Sequence, residues 1–290
     1  MSGTQPWGFT DDRGTEPASA RVPERVVAYV RAGAALLDLG VTPVAVYGSG
    51  HDGPVYDPAK AGGLDAAGVP YLGPGRALDE GLLRESRPDL IVDVTYDGKS
   101  PYALDEAVAD RLGVPLVALS VGNELTLPAI LGRFGALSDS LRAGTAGSTA
   151  GATASAAASA DPTAGVEEAE AVLRGAAGRS GLTVLALSGA GPEQVHLARP
   201  QAWPELARLA ALGVRLVDPG PGPGANWLTA DWGRAAELRP DLILFDNRSH
   251  AVPPYETPPG TRLAAWNPET PPSPAAYARF FREVAEALAA

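Results

Sequence analysis

The chain has 290 residues, of which 45% are hydrophobic and 20% charged, with 23 lysines and arginines against 34 aspartates and glutamates. This length exceeds what one compact core usually serves, so two domains are expected, and the composition is that of a folded globular protein. The net charge of −11 argues against a nucleic-acid partner, and the lack of cysteine excludes disulfides, thiolate metal sites and cysteine nucleophiles.

The start of the chain, MSGTQPWGFTDDRG, has no basic segment followed by an apolar one. No apolar run reaches the roughly 18 residues that a membrane span needs. As written, the sequence therefore predicts a cytoplasmic protein without a membrane span. The turn DDRG, between Trp7–Thr10 and the residues after Thr15, predicts a short hairpin.

The next part of the chain alternates apolar strands with helices. Strands are predicted at 24–30, 41–48, 89–96 and 114–120, and helices at 31–40, 77–87 and 101–113. Strands that are apolar on both faces and alternate with helices indicate a parallel sheet covered on both sides. Residues 1–121 are therefore predicted to form an N-terminal α/β lobe.

The middle of the chain is predicted to link two lobes. A long helix is expected at 125–142, within a linker segment at 122–142, with Asn123 as its cap and Pro128 in its first turn. Residues 143–165 are almost entirely alanine, glycine, serine and threonine, which bury too little apolar surface to fold, so we predict a disordered insertion.

The C-terminal part, residues 166–290, repeats the first lobe in outline. Strands are predicted at 182–189, 194–200, 214–220, 241–247 and 262–266, and helices at 166–180, 203–213, 229–239 with Thr229 as cap, and from Ser273 to the end. The predicted fold is α/β, with two Rossmann-like lobes that contain parallel sheets and are joined by a long linker helix.

The pentapeptide RPDLI occurs at 87–91 and again at 239–243. Its proline stops a helix, and an apolar strand begins directly after it. The carboxyl ends of the two strands lead into polar and aromatic residues, VTYDGKSPY and FDNRSHAVPPY. Ligands of open α/β sheets bind beyond the carboxyl ends of strands, so the repeat is predicted to be structural and the two tips functional, facing each other across a cleft.

In their order, several motifs resemble the substrate-binding proteins of iron-siderophore and vitamin B12 ABC importers, the helical-backbone, class III periplasmic binding fold. They are the WGFTDDRG hairpin, PERVVAY, DLGVTPVAVYG, the two RPDLI strands, the long helix at 125–142 and WPELARLAALGVRLVDP. The resemblance covers nearly all of the chain except 143–165. It implies binding of a ferric siderophore or similar metal chelate in the cleft for ABC-type uptake, by a monomer with an ABC permease as partner and no cofactor of its own.

Family sites hold a chelate with aromatic and basic residues on strand-end loops. Carried over by position, the resemblance points to Tyr29, Arg31, Tyr47, Tyr96, Lys99 and Tyr102 in the first lobe and to Arg199, Trp227, Asn247, Arg248 and Trp266 in the second. His51 and His250, which follow strands in opposite lobes, complete the predicted ligand-binding set, and no metal-ligating or catalytic residue is assigned.

Two features depart from the family pattern. Family members carry an export signal or a lipid-modified cysteine, so this sequence is either a trimmed mature domain that works outside the cell or a cytoplasmic relative that binds or transforms a biosynthetic intermediate. An acidic surface for docking a transporter is also not evident. Its candidates are Asp79, Glu80, Glu205 and Glu237.

The motif GSGHDG at 48–53 matches a dinucleotide-binding pattern, but Pro54 follows where a helix should begin, so a flexible loop over the cleft is predicted instead. Direct metal binding by His51 and His250 is the weaker alternative, because no histidines are closely spaced. His196 is interpreted as a residue of a sheet face.

For catalysis, Ser188 lacks a nucleophile elbow and a histidine to activate it. Asp11 and Asp12 are interpreted as surface charge on a turn. An acid-base site that uses His250, Asp246 and Tyr96 stays open, because such groups need not be close in sequence.

Overall fold

The computed structural model describes residues 6–143, 163–252, 257 and 260–290. These residues form two compact units, and the segment Pro271–Ser273 belongs to the first although it follows most of the second in sequence. Residues 144–162, most of the predicted insertion, lie outside the described part of the chain. No helix in the described part is long and apolar enough to cross a bilayer.

The first unit is built on a five-stranded parallel sheet with the strand order β5-β4-β3-β6-β7. Its strands are β3 (Val26–Tyr29), β4 (Ala45–Gly48), β5 (Tyr71–Pro74), β6 (Leu90–Thr95) and β7 (Leu116–Ser120), after a hairpin of β1 (Trp7–Gly8) and β2 (Ala18–Ser19). Its helices are α1 (Val30–Asp38), α2 (Pro58–Ala61), α3 (Glu80–Glu85), α4 (Glu106–Leu112) and α5 (Leu127–Arg142).

The core of this unit lies on both faces of the sheet. Every residue of β3, β4, β6 and β7 is buried, as the continuous apolar runs predict. Helix α1 packs so closely that a side chain at Gly33 would approach Val46 Cγ1 to 2.6 Å. Helix α5 begins later than predicted, because the Thr126 hydroxyl, and not Asn123, caps it by accepting the Ala129 N–H.

The N-terminal hairpin is confirmed, but its aspartates are not surface charges. Asp11 is buried, and its carboxylate accepts hydrogen bonds of 3.1 Å from the backbone N–H groups of Thr15 and Ala118. Asp12 accepts the Ser120 N–H at 2.7 Å. The interpretation as solvated charge was wrong because the turn folds onto β7, whose backbone donors need acceptors.

The second unit has a sheet with the strand order β11-β9-β8-β12-β13, in which β10 also pairs with β8. Its strands are β8 (Thr183–Gly189), β9 (Val195–Ala198), β10 (Arg215–Leu216), β11 (Trp227–Ala230), β12 (Leu242–Asp246) and β13 (Arg262–Trp266). Its helices are α6 (Ala164–Ser180), α7 (Pro204–Ala211), α8 (Trp232–Glu237) and α9 (Pro274–Ala289), of which α6 and α9 pack together.

One edge of this second sheet departs from the parallel pattern. Strand β9 runs antiparallel to both β8 and β11, whereas β8, β10, β12 and β13 are parallel. The connection from Gly189 to Val195 is too short for a crossover, so the chain can only turn back as a hairpin.

Strand β11 replaces the beginning of a predicted helix. Thr229 lies in this strand, opposite His196, and the cap of α8 is Asp231, whose side chain accepts the Arg234 N–H at 2.8 Å. The prediction was wrong because threonine suits a helix cap and an edge strand equally, and a better cap follows two residues later.

The RPDLI repeat has the same structure in both units. Arg87 and Arg239 adopt left-handed backbone conformations, with φ of 47° and 46°. The side chain of the aspartate then accepts a hydrogen bond from the backbone at the start of the neighbouring strand. Asp89 accepts the Arg25 N–H at 2.7 Å, and Asp241 accepts the Thr183 N–H at 2.8 Å. Each copy therefore ends a helix, starts a strand and aligns it with the next strand.

Candidate functional site

The loop after β6 carries an aromatic cluster in the first unit. The ring of Tyr102 meets that of Tyr96 edge to face at 4.8 Å and that of Tyr29 at 5.7 Å. Arg31, in the first turn of α1, donates from Nη1 to the Tyr96 hydroxyl at 3.0 Å. Tyr29 and Arg31 are buried, while Tyr96 and Tyr102 are half-buried. The cluster thus presents two partly open rings supported from behind by a buried ring and a guanidinium.

Asp93, within β6, fastens the chain that follows Tyr102. Its buried carboxylate accepts hydrogen bonds from the backbone N–H groups of Ala103 at 3.1 Å and Leu104 at 2.9 Å, and from the Tyr47 hydroxyl at 3.1 Å. The pKa of Asp93 is raised to about 6, because the effect of burial outweighs that of these hydrogen bonds, which act to lower it. Burial and the nearby Asp93 also raise the pKa of Tyr47, so the phenol stays a donor.

Asp97 shapes the turn that carries Lys99. Its Oδ1 accepts hydrogen bonds from the Thr95 hydroxyl at 3.0 Å and from the backbone N–H groups of Lys99 and Ser100, both at 2.9 Å. The Ser100 and Lys99 N–H groups lower the pKa of Asp97, which therefore remains an anionic acceptor at neutral pH. The turn keeps the Lys99 side chain exposed to solvent.

The GSGHDG loop is closed by its own aspartate. Asp52 accepts hydrogen bonds from the Ser49 N–H at 2.6 Å and hydroxyl at 2.9 Å, and it forms a 2.8 Å ion pair with the fully buried Lys60. No helix N-terminus lies at the glycines, since α2 starts at Pro58. The Asp52 carboxylate therefore binds groups of the protein itself, whereas the side chain of His51 is exposed.

Three tryptophans meet in the second unit. The ring of Trp203 lies 4.8 Å from that of Trp227 and 5.6 Å from that of Trp266, and Trp227 and Trp266 are 5.7 Å apart. The buried indoles of Trp203 and Trp266 donate to the Asn226 carbonyl at 3.1 Å and to the Glu205 carboxylate at 3.2 Å. Trp227, at the start of the edge strand, is half-buried. It thus presents a partly open ring backed by two fixed rings.

Arg199 follows β9 and binds the loop that precedes Trp227. Its Nη1, Nη2 and Nε donate to the carbonyl oxygens of Gly220, Gly222 and Gly224 at 2.8, 2.9 and 3.0 Å. Arg199 was predicted to bind ligand oxygens through its planar guanidinium. In the structure its three nitrogens are used on the protein's own backbone.

Arg248, after β12, lies between two buried carboxylates. Its Nη2 is 2.7 Å from Asp246 Oδ2 and its Nη1 is 3.4 Å from Glu269 Oε2. Two carboxylates against one guanidinium leave this cluster with excess negative charge, which disfavours a third anion at Arg248. Asn247 and His250 on the same loop are exposed.

The sheet places a histidine opposite Ser188, which the sequence does not show. Ser188 pairs with His196 across β8 and β9, and His196 pairs with Thr229 across β9 and β11. The Ser188 hydroxyl, however, donates to Asp246 at 2.8 Å, and His196 Nδ1 lies 3.0 Å from the Thr229 hydroxyl. Desolvation lowers the pKa of His196. Neither contact directs His196 to remove the Ser188 proton.

Within residues 6–143, 163–252, 257 and 260–290, no group of three or more histidine, aspartate and glutamate side chains is arranged to hold a metal ion. His51 lies in the first unit and His250 in the second.

Comparisons with known proteins find likeness in structure. No protein-family model and no curated protein matches the chain. Among solved structures, DesE, a ferric-siderophore receptor protein from Streptomyces coelicolor, is 27% identical with a TM-score of 0.80 over 98% of both chains. Over nearly its whole length, the chain is therefore similar to the binding proteins of the iron-siderophore and vitamin B12 family.

More distant solved structures share the fold alone. The siderophore periplasmic binding protein from the fuscachelin gene cluster of Thermobifida fusca is 15% identical with a TM-score of 0.60, over 92% of this chain and 96% of that one. The periplasmic heme-binding protein RhuT from Roseiflexus sp. RS-1 is 16% identical with a TM-score of 0.61, over 91% and 97%. The predicted α/β fold class, with parallel sheets, is confirmed.

The residues predicted to bind the ligand differ in accessibility. Those that are half-buried or exposed are His51, Tyr96, Lys99, Tyr102, Arg199, Trp227, Asn247, Arg248 and His250. Those that are buried are Tyr29, Arg31, Tyr47 and Trp266. The structure brings Tyr29, Arg31, Tyr96 and Tyr102 together in one cluster and Trp227 and Trp266 in another, while Lys99 and His51 lie on separate loops.

Sequence reasoning missed the acids that support these clusters. Asp93 and Asp97 hold the loop after β6, and a lone acid inside the apolar strand LIVDV was the available signal for the first. Glu205 is no docking residue, because it is only 2% exposed and accepts the Trp266 indole N–H. Of the other docking candidates, Asp79 caps α3, and Glu80 pairs with Arg111.

Proposed function

We propose that this protein binds a ferric siderophore and delivers it to an ABC permease. The observation that carries the proposal is the 27% identity, at a TM-score of 0.80 over 98% of both chains, with a ferric-siderophore receptor. Since two of the more distant structures are described as periplasmic, we also propose that this protein works outside the cytoplasmic membrane.

The proposed contacts in the first unit are Tyr96, Tyr102 and Lys99. Half-buried aromatic rings give a bulky organic ligand a large contact area at little cost in side-chain entropy, and they are already held by neighbouring groups. The exposed Lys99 ammonium attracts the anionic oxygens that surround a chelated ferric ion. The iron is cargo whose ligands come from the siderophore, so no protein side chain has to coordinate it.

The proposed contact in the second unit is Trp227. Its ring is half-buried and packed against Trp203 and Trp266, so a ligand meets a surface whose geometry is already set. Asn247 and His250 add exposed polar groups on the loop after β12. We assign Arg248 a supporting role, because Asp246 and Glu269 already compensate its charge.

The test is a titration of the purified protein, followed by tryptophan fluorescence and calorimetry. The probes are a ferric trihydroxamate, a ferric tris-catecholate, haemin and cyanocobalamin, with each siderophore also added free of iron. We expect saturable binding of one ferric siderophore class, weaker binding of its iron-free form, and quenching of fluorescence. Binding of haemin or cyanocobalamin alone, or of none of the probes, would refute the proposal.

A further inference from the structure

Three backbone carbonyl groups of the loop PGPGPGAN at 219–226 accept hydrogen bonds from one side chain, that of Arg199. Gly220, Gly222 and Gly224 have positive φ angles of 91°, 154° and 93°, and each follows a proline, whose φ is fixed near −65°. The alternation curls the chain so that the three glycine carbonyls converge on the Arg199 guanidinium, at 2.8 to 3.0 Å. A lysine at this position has no planar fork with which to bind three separated acceptors.

The two ends of the loop are held as well. At its start, the Pro219 carbonyl accepts a hydrogen bond of 3.0 Å from Arg234 Nη2. At its end, the Asn226 carbonyl accepts one of 2.9 Å from the backbone N–H of Arg199 and one of 3.1 Å from the indole of Trp203. The next residue is Trp227, so the last fixed point of the loop is adjacent in sequence to the half-open ring.

We propose that Arg199 is a positioning residue that holds Trp227 ready for its ligand. The inference rests on the proposed function, in which Trp227 contacts a ferric siderophore. Arg199 acts through the loop carbonyls and does not itself contact the ligand. Without its three hydrogen bonds, the glycines give the loop many backbone conformations, and Trp227 occupies the binding-competent orientation for only a fraction of the time.

Two substitutions test the idea from opposite sides. Arg199→Lys keeps the positive charge but loses the fork. Gly224→Ala keeps Arg199, but its new Cβ would lie 2.2 Å from the Trp227 carbonyl oxygen at a φ of +93° that alanine adopts poorly. Arg215→Lys is the matched control, because Arg215 also donates to a backbone carbonyl of the second unit, that of Gly181 at 2.7 Å, and lies outside the loop.

Two measurements are made on each variant. In protein labelled with 5-fluorotryptophan, the ¹⁹F resonance of Trp227, assigned with Trp227→Phe, reports the order of the ring without ligand. Stopped-flow fluorescence then gives the association and dissociation rates of the ferric siderophore that binds in the titration above. Circular dichroism confirms that each variant is folded.

A positioning role predicts that Arg199→Lys and Gly224→Ala both shift or broaden the Trp227 resonance, whereas Arg215→Lys does not. Both should weaken binding by about 3- to 10-fold, the size expected for ordering one large side chain on binding. The loss should lie in the association rate, because only the competent fraction of the protein captures ligand.

The opposite pattern would overturn the inference. Suppose that Arg199→Lys raises the dissociation rate without changing the ¹⁹F spectrum, and that Gly224→Ala binds the ligand as the unaltered protein does. Arg199 would then contact the ligand directly. An unchanged Trp227 resonance in both variants also refutes positioning. If the unaltered protein binds no siderophore, the proposed function fails, and the resonance by itself still decides whether Arg199 orders Trp227.

Discussion

Replacement of Asp93 by asparagine tests whether burial or hydrogen bonding has the larger effect on the pKa of this carboxyl group, which holds the loop after β6. The carboxylate is fully buried, which favours the neutral acid, but it accepts hydrogen bonds from Tyr47, Leu104 and other backbone donors, which favour the anion. Burial is the larger effect and raises its pKa to about 6. Asparagine carries no charge at any pH and so removes the titration.

The magnitude follows from the difference between about 6 and the ordinary pKa of 3.8. At 1.36 kcal/mol for each pKa unit, this difference corresponds to about 3 kcal/mol. Between about pH 4 and pH 6 the unfolded chain has lost this proton while the folded protein keeps it, so the contribution of Asp93 to stability falls as the pH rises. The asparagine amide also leaves one buried backbone donor without an acceptor, which costs about 1–3 kcal/mol at every pH.

The assay is guanidinium unfolding of both proteins, followed by circular dichroism from pH 4 to pH 8. We expect Asp93→Asn to be about 1–3 kcal/mol less stable than the unaltered protein at pH 4. The unaltered protein should lose up to about 3 kcal/mol by pH 8, which makes the two proteins equally stable or reverses their order. Asp97→Asn is the control, because the pKa of Asp97 is lowered below 3.8 and the deficit of this variant should stay nearly constant from pH 4 to pH 8. A deficit of Asp93→Asn that is constant or grows with pH would show that hydrogen bonding outweighs burial.

Three further outcomes are expected. Lys60→Met leaves the buried Asp52 carboxylate without its ion-pair partner and should destabilise the protein by about 3–5 kcal/mol in thermal unfolding. Adding Asp52→Asn should restore part of the loss, and an unchanged stability of Lys60→Met would mean that water replaces the ammonium. Asp241→Ala removes the acceptor at the start of β8 and should speed amide hydrogen exchange in that strand, and equal exchange rates would contradict the role given to the repeat. Trp227→Ala should weaken ferric-siderophore binding at least about 5-fold. Trp232→Phe should not, because Trp232 packs on the other face of the sheet, and equal affinities of the two variants would show that Trp227 does not contact the ligand.

The long apolar strands and their helices were predictable because their signals are local. Strands β3, β6 and β12 lie inside predicted runs, and α7 begins one residue from its predicted start. The elements that were missed, α2, β5 and β11, are four residues long each. So few residues carry no periodicity, and tertiary contacts decide their conformation.

The contacts that the candidate site residues make could not be predicted from the sequence. An arginine after a strand is expected to indicate the functional edge, but Arg199 follows the antiparallel strand β9. Its acceptors lie more than twenty residues further along the chain. Only the folded loop shows that the carbonyl groups converge. Similarly, Asp93 was visible as an acid in an apolar strand, yet its partners Ala103 and Leu104 depend on the course of the following loop.

The two copies of RPDLI share their beginning and differ at their end. In both, an arginine with positive φ and an aspartate acceptor fix where the strand starts. Strand β6 then carries the buried Asp93, which binds the backbone beyond Tyr102, whereas β12 ends at the buried Asp246, which binds Arg248. The strands differ in length, with six residues in β6 and five in β12, and a buried carboxylate near the end of each binds the loop that follows. The two units can therefore differ in the loop after this strand while they keep the same structure at the start of the strand.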